Sequence, residues 1–330
     1  EIAAERLEGL VDSKQRYICT NETYRAMIRS VLPRFTDDLI LGEPIGRDTV
    51  NAVGFAAAVI HKRDPNAVFA VLTADHLIEP ADLFRDRMEL GFELVEKDPT
   101  RLVTFCIEPS YPATGFGYVE RGPSLPNARG LGFKVERFVE KPTLEKAQAY
   151  LESGAFGWNS GMFVWKASTI LDCLRRYKPE SYQGLMKIQV AWGTPDQKKV
   201  LDEVYPALPK ISVDYAIMEP ASREQARAPG GDGVRACTVL MDLTWLDVGS
   251  WPSFKETLTP DADGNAVTGN GRVMKCKDTL VVNSDDRHHI AVLGCEGLVV
   301  VHTEDATLVM PASQSEEIKN LHATLPEKLK

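Results

Sequence analysis

Two acidic residues stand directly behind short apolar runs, where an α/β protein places its chemistry. Val71-Leu72-Thr73-Ala74-Asp75-His76 runs into Asp75, and Trp245-Leu246-Asp247-Val248-Gly249 runs into Asp247 and then a glycine. Open α/β sheets bind ligands beyond the carboxyl ends of their strands. Two carboxylates from separate strand ends suit a hard divalent cation that bridges phosphate oxygens, so Asp75 and Asp247 are candidate Mg²⁺ ligands for phosphoryl or nucleotidyl transfer. Helix capping explains each residue equally well, with Asp75 ahead of a helix near Pro80 and Asp247 or Ser250 ahead of the next one. His76 on its own reads as a hydrogen-bonded packing residue.

A third strand end, Phe138-Val139-Glu140-Lys141-Pro142, offers an ammonium for a phosphate and a carboxylate for sugar hydroxyls, or simply an exposed ion pair. In Gly115-Phe116-Gly117-Tyr118-Val119-Glu120 the glycines permit close approach to a ligand, and in Gly157-Trp158-Asn159-Ser160-Gly161 the Asn159 amide has both donor and acceptor. Hairpin turns with packing aromatics account for both segments as well. Glu43-Pro44-Ile45-Gly46-Arg47-Asp48-Thr49 enters a helix whose N-terminus favours an anion or a base edge, or is merely capped by Asp48 or Thr49. The glycine-rich stretch 228–233 lacks the Lys-Ser/Thr and the preceding strand of a phosphate loop and reads as a surface loop. Arg287-His288-His289 reads as surface, because neighbouring strand residues face opposite ways.

These side chains need a scaffold, and the hydrophobic pattern supplies one. From Tyr17 to about Thr257 short apolar runs alternate with helical patterns, as in βα units around a mostly parallel, buried sheet. Strands are expected over 16–19, 67–73, 101–107, 135–139, 161–165 and 236–242, and helices over 21–32, 49–62, 80–97, 143–153 and 167–177, with another opening at Pro195-Asp196. After the turn-rich stretch 260–265 the pattern changes to five short β runs, over 272–276, 279–283, 289–293, 298–302 and 307–310, closed by a helix over 313–323. The expectation is an α/β, Rossmann-like domain over residues 1–258 and a small, solenoid-like β domain over 259–330.

Composition narrows the function classes. The 330 residues carry 38 Lys and Arg against 47 Asp and Glu, a net charge of −9, with a mean hydropathy of −0.19. Disorder is excluded at 44% apolar residues, and no apolar run approaches the ~20 residues that cross a bilayer. The acidity argues against nucleic-acid binding, which needs a basic face. Six scattered cysteines without a C-x-x-C pair read as the reduced thiols of a cytoplasmic protein. The chain opens at Glu1 inside an amphipathic pattern, so the native protein is expected to begin earlier.

Singly these signals are weak, but their order and spacing resemble one family, the mannose-1-phosphate guanylyltransferases (GDP-mannose pyrophosphorylases) of the short, monofunctional type. The motifs are E-P-I-G-R-D-T (Glu43 to Thr49), T-A-D-H (Thr73 to His76), G-F-G-Y-V-E (Gly115 to Glu120), F-V-E-K-P (Phe138 to Pro142), W-N-S-G-M-F (Trp158 to Phe163), S-V-D-Y-A-I-M-E (Ser212 to Glu219) and W-L-D-V-G-S-W (Trp245 to Trp251). The resemblance implies a nucleotidyltransferase fold and transfer of a guanylyl group from GTP to mannose 1-phosphate, giving GDP-mannose and pyrophosphate. It implies Mg²⁺ on Asp75 and Asp247 and the sugar phosphate on Lys141. Glu140, Asn159 and Gly117 would serve the mannose hydroxyls, Glu43, Arg47 and Asp48 the guanine, and Asp214 a further substrate contact. A homodimer is implied too, with no nucleic-acid or membrane partner.

Two departures qualify this. The family's Gly-rich loop, G-G-x-G-T-R-L-x-P-L-S-R, should precede Glu1, so these 330 residues alone are expected to turn over hardly at all. Asp48 and Asn51 stand where the family has Asn and Pro, which places an extra negative charge beside the nucleotide. Two rival readings stay open: a non-catalytic sugar-nucleotide-binding regulator, and a nucleotidyltransferase for another sugar 1-phosphate.

Overall fold

The computed structural model describes residues 2–227, 231, 233–326 and 329; Glu1 and most of the glycine-rich stretch 228–233 lie outside the described residues. The chain opens with α1 (Ile2–Glu5), β1 (Ile18–Asn21), α2 (Arg25–Val31), β2 (Ile40–Glu43), α3 (Asp48–Arg63) and β3 (Val68–Val71). It continues through β4 (His76–Glu79), α4 (Ala81–Lys97), β5 (Arg101–Ile107), β6 (Tyr118–Ser124) and β7 (Gly132–Val139). Next come α5 (Leu144–Ser153), β8 (Phe156–Lys166), α6 (Ala167–Tyr177), α7 (Pro179–Ala191), α8 (Gln197–Val204), a π-helical turn (Asp214–Met218), α9 (Glu219–Arg227) and β9 (Arg235–Met241). The remainder holds β10 (Thr244–Asp247), α10 (Trp251–Glu256), β11 (Ala266–Thr268), β12 (Gly271–Met274), β13 (Leu280–Asn283), β14 (Ile290–Leu293), β15 (Leu298–His302), β16 (Thr307–Pro311) and α11 (Ile318–Thr324).

Two compact units result, Glu1–Ala74 with Ile78–Thr244, and Asp75–Leu77 with Trp245–Lys330. Packing divides the chain at different points from the composition change at 260–265.

The first unit is built on a six-stranded sheet of order β3-β8-β5-β9-β7-β6. β3, β5, β9 and β6 point one way, while β8 and β7 run against them. The sheet is therefore mostly parallel in strand direction, although β5–β9 is its one parallel ladder among the described residues. β8 is buried throughout except at Gly161 and Lys166, because it pairs with β3, β5 and β6 and is covered on both faces. Its pleat splits its side chains: Phe163 and Trp165, stacked at 4.9 Å, join a core shared with α3, α6 and α7, while Val164 faces Gly91 of α4. Local signals set the helix ends. Gly154, at φ 63°, closes α5 in the left-handed conformation, and Pro179 opens α7 at its first turn.

Several expectations are corrected. Of the two segments for which hairpin turns are one alternative, 157–161 lies in β8 and 118–120 in β6, paired antiparallel with Tyr118 opposite Trp158, while 115–117 precede the strand. The helix expected over 21–32 begins as a 3₁₀ turn, Glu22–Tyr24, because Asn21 caps the Thr23 N–H and holds the first residues in a tighter winding.

In the second unit β11, β13, β15 and β16 form one sheet, and β12 with β14 another. Leu280 pairs with Val299 and Gly271 with Ile290, parallel and in each case one coil of 19 residues on. This is the expected solenoid. Leu280 and Val299 pack with Trp251 and Phe254 of α10 and Ile318 of α11. Their neighbours Val281 and Val300 turn inward to Ile290, Val273 and Val292. No helix of the described residues is long and apolar enough to cross a membrane.

The α3 packing yields a test. A Cβ on Gly54 would sit 2.5 Å from Leu185 Cδ1 and 2.8 Å from Leu174 Cδ1, so Gly54→Val should destabilise the first unit by about 1–3 kcal/mol. Urea unfolding followed by tryptophan fluorescence should show a lower midpoint; an unchanged midpoint would contradict this packing.

Candidate functional site

In the second unit, Asp75, His76 and Asp247 each bring one ligand atom to within 4.8 Å of the others. The structural alternatives for the two acids fall away. Ser250 caps α10, accepting from the Ser253 N–H at 3.2 Å, and α4 follows Pro80 with no side-chain cap at all. Asp247 Oδ1 instead accepts the Gly249 N–H at 3.2 Å, and the Val248 N–H donates to the Asp75 carbonyl at 3.1 Å. His76 is buried, with its ring edge-on to Trp245 at 5.0 Å and Nδ1 accepting from the indole N–H at 3.1 Å. A ring nitrogen that accepts is unprotonated, so the neutral ring carries its hydrogen on Nε2, 4.0 Å from Asp75 Oδ1. His76 thus turns an N–H rather than a lone pair toward the acids. The two carboxylates are what suits a hard divalent cation, and their grouping fits one.

In the first unit a second cluster forms where β6, β7 and β8 meet the π-helical turn. A Cβ on Gly117 would lie 2.5 Å from Glu140 Oε2 and 3.3 Å from Asn159 Cβ, so a side chain here would push the Glu140 carboxylate aside. The Asn159 N–H donates to the Gly117 carbonyl at 2.8 Å, and Asn159 Nδ2 donates to Asp214 Oδ1 at 3.0 Å. The Glu140 N–H reaches Glu219 Oε1 at 3.4 Å. Lys141, exposed and in the left-handed region at φ 45°, holds its Nζ 4.0 Å from Glu140 Oε1. Burial pushes the Glu140 carboxyl up to about 7, with the Asp214 charge adding to it. Burial likewise pushes Asp214 up to about 6 against its hydrogen bonds, with Asp48 adding to the rise.

A third group surrounds the start of α3. Tyr205 OH donates to Glu43 Oε1 at 2.5 Å, and burial raises the Glu43 carboxyl. Asp48, at φ 64°, accepts the Thr49 N–H at 2.7 Å, so it closes its own turn. The Val213 N–H donates to Thr49 Oγ1 at 2.9 Å, tying this turn to the segment that carries Asp214. Asn51 Nδ2 bridges the Arg47 and Pro209 carbonyls at 2.9 and 2.7 Å. One N–H of the Arg47 guanidinium donates to the Pro206 carbonyl, while its Nε is buried without a hydrogen-bond partner.

The structure therefore brings together Asp75 with Asp247, Gly117 with Glu140, Lys141, Asn159 and Asp214, and Glu43, Arg47 and Asp48 around one helix start. Sequence reasoning missed Tyr205 and Glu219 as partners of these groups, although Glu219 ends one of the recognised motifs. Tyr205 had no signal beyond its aromatic character. Arg287, His288 and His289 are exposed as expected, in the loop before β14 rather than on a strand.

Acids beyond strand ends are placed where α/β proteins bind their ligands. Residues 4–263 match the nucleotidyl transferase family, and the chain belongs to it. Residues 275–325 match the MannoseP isomerase/GMP-like beta-helix domain. The chain is similar to the mannose-1-phosphate guanylyltransferase of Klebsiella pneumoniae, at 34% identity over 318 residues, 95% of this chain and 64% of that protein. It is similar also to that of Escherichia coli strain K12, at 35% identity over 324 residues, 96% of this chain and 64% of that protein. It thus spans about 64% of the length of these curated relatives. A crystal structure described as mannose-1-phosphate geranyltransferase from Thermus thermophilus matches with a TM-score of 0.80 at 28% identity, over 97% of this chain and 87% of that one.

The raised Glu140 carboxyl makes stability depend on pH. Between an unfolded value near 4.5 and the folded value of about 7 the folded state holds an extra proton, so stability is full below this window and falls as pH rises through it. The loss is at most roughly 3 kcal/mol. Glu140→Gln should exceed the parent's melting temperature by much more at pH 8 than at pH 5. Equal pH dependence in the two proteins would refute the shift.

Proposed function

We propose that this chain carries out guanylyl transfer from GTP to mannose 1-phosphate, releasing pyrophosphate and giving GDP-mannose. The observation that carries the reading is the meeting of Asp75 and Asp247 in a member of the nucleotidyl transferase family. The relatives' names supply the sugar and the nucleotide. A phosphate oxygen of the sugar phosphate forms a bond to the α-phosphorus of GTP as the bond to the pyrophosphate oxygen breaks. The barrier is the approach of two polyanions, so alignment and charge neutralisation dominate.

Asp75 and Asp247 would hold Mg²⁺, which supplies positive charge to the phosphates when bound. In this reading Trp245 fixes the His76 ring, and the His76 N–H steadies the Asp75 carboxylate. Lys141 neutralises the sugar phosphate, for which its exposure leaves it available. Glu140 and Asn159 hold mannose hydroxyls, and Gly117 leaves room for them beside its bare backbone. Glu43, oriented by Tyr205, accepts from the N1–H and N2–H₂ donors of guanine, with the Arg47 and Asp48 turn alongside. Asp214 acts through Asn159. Assembly as a homodimer and a cytoplasmic setting, with residues 1–258 as the catalytic module and 259–330 as the β module, complete the proposal.

The test uses the enzyme expressed from its native coding sequence. GTP and mannose 1-phosphate with Mg²⁺ should give GDP-mannose faster than any other pairing in a panel of nucleoside triphosphates and sugar 1-phosphates. A preferred pairing with another sugar or base would overturn the assignment. Asp247→Ala at saturating Mg²⁺ should cut kcat by about a hundredfold or more, and a near-normal rate would remove the cation role. Asp48→Asn deletes a charge while keeping a side chain tolerant of positive φ, so GTP affinity should rise. A calorimetric titration showing unchanged or weaker affinity would count against a nucleotide at that turn.

A further inference from the structure

Thr104 lies in the middle of β5, fully buried, where no ligand reaches it. Its hydroxyl is 2.7 Å from Asn159 Oδ1 and 3.3 Å from the Met162 carbonyl, while the other end of the Asn159 amide lies 3.0 Å from Asp214 Oδ1. The β5–β8 register shifts here: Thr104 pairs with Phe163 but Cys106 with Asn159, so residues 160–162 bulge opposite Phe105 alone. Gly161 in that bulge takes φ 69°.

We propose that Thr104 is a positioning residue for the sugar-phosphate cradle, whose hydroxyl, by donating to Asn159 Oδ1, reinforces the amide orientation that turns Nδ2–H₂ toward Asp214 and the bound sugar. The proposal rests on the reading of Asn159 as a sugar contact. The hydrogen count gives the reason. A threonine hydroxyl has one hydrogen, and here it goes to Asn159 Oδ1, the nearer acceptor, which leaves Nδ2–H₂ for the Asp214 carboxylate. Turning the amide over would set two oxygens 3.0 Å apart and leave the hydroxyl only the longer bond to Met162. That arrangement becomes satisfied only when Asp214 carries a proton: its O–H then donates to Asn159, Asn159 to Thr104, and Thr104 to Met162. The chain of three side chains is thus a two-state device with the hydroxyl as its reversible donor. Asp214 is faced by Asn159, Asp48 and Lys141, and Glu140 beside it by Lys141 and Glu219, so protons on this cluster are shared.

Thr104→Val keeps the shape and removes the donor. It should raise KM for mannose 1-phosphate about tenfold while leaving KM for GTP within about twofold, and Thr104→Ser should restore both. In an Asp214→Asn background either amide orientation finds a complementary partner, so the effect of Thr104→Val should shrink to about threefold or less. Both KM values rising together, neither changing, no rescue by serine, or an undiminished effect in that background would overturn the proposal. A measurement without substrate decides the point even if the valine variant does not fold or mannose 1-phosphate is not the substrate. In the parent protein the Asn159 side-chain amide resonances should shift with an apparent midpoint near the Asp214 value of about 6, and in Thr104→Ser alike. Resonances insensitive to pH would sink the proposal while leaving the assigned reaction standing.

Discussion

Carboxylates withdrawn from water with little cationic compensation govern the first unit. Glu140 feels both Asp214 and Glu219; Arg223 pairs with Glu219 at 2.7 Å, but the ammonium beside Glu140, Lys141, is mostly in solvent. Removing such groups from water disfavours their charged forms, and at Glu140 and Asp214 the chain answers with raised carboxyls and an amide donor more than with cations. Asn159 gives its N–H to Asp214, and the Glu140 backbone gives its own to Glu219. In the proposed function this cluster complements a polyol, whose hydroxyls donate to carboxylates without adding charge. Only a stiff frame can hold it, and β8, paired along both edges and packed on both faces, is that frame.

Much of this frame was legible because it follows from continuous pattern. The apolar run Arg101–Ile107 can only be a buried strand, and the periodic segment Ala167–Tyr177 only a helix resting on the core; both have the expected limits. The strands that escaped are those whose residues do not read as strand. β6 contains Gly122 and Pro123, and β4 begins on His76 immediately after a pair of bends. Their pairing is fixed by partners distant in sequence, which no local pattern reports. In the second unit the roughly ten-residue spacing was half of the 19-residue coil, since each coil carries two strands.

The site was legible to a different degree. Strand ends gave Asp75 and Asp247 as candidates, but only as even alternatives to caps. What decides between the two is a single serine, Ser250, that takes the capping role and leaves Asp247 to face Asp75. Residues acting through others left no trace in the sequence: Tyr205 and Thr104 are an aromatic in a short 3₁₀ turn and a β-branched residue in a strand, both ordinary in type. Their meaning comes from hydrogen bonds to Glu43 and Asn159 across long stretches of chain.

A chain of net charge −9 that handles phosphates must supply positive potential locally. The described residues do so sparingly. Arg47 gives one N–H to a carbonyl, and Asp48 sets a carboxylate at the very helix start that would otherwise draw an anion. Lys141 stands apart because its backbone is held in the left-handed region at the end of β7, which carries its side chain away from the strand and into solvent. Sparse fixed cations and paired acids amount to one design. In the proposed function a divalent ion on Asp75 and Asp247 supplies the positive charge that the fixed cations give only sparingly.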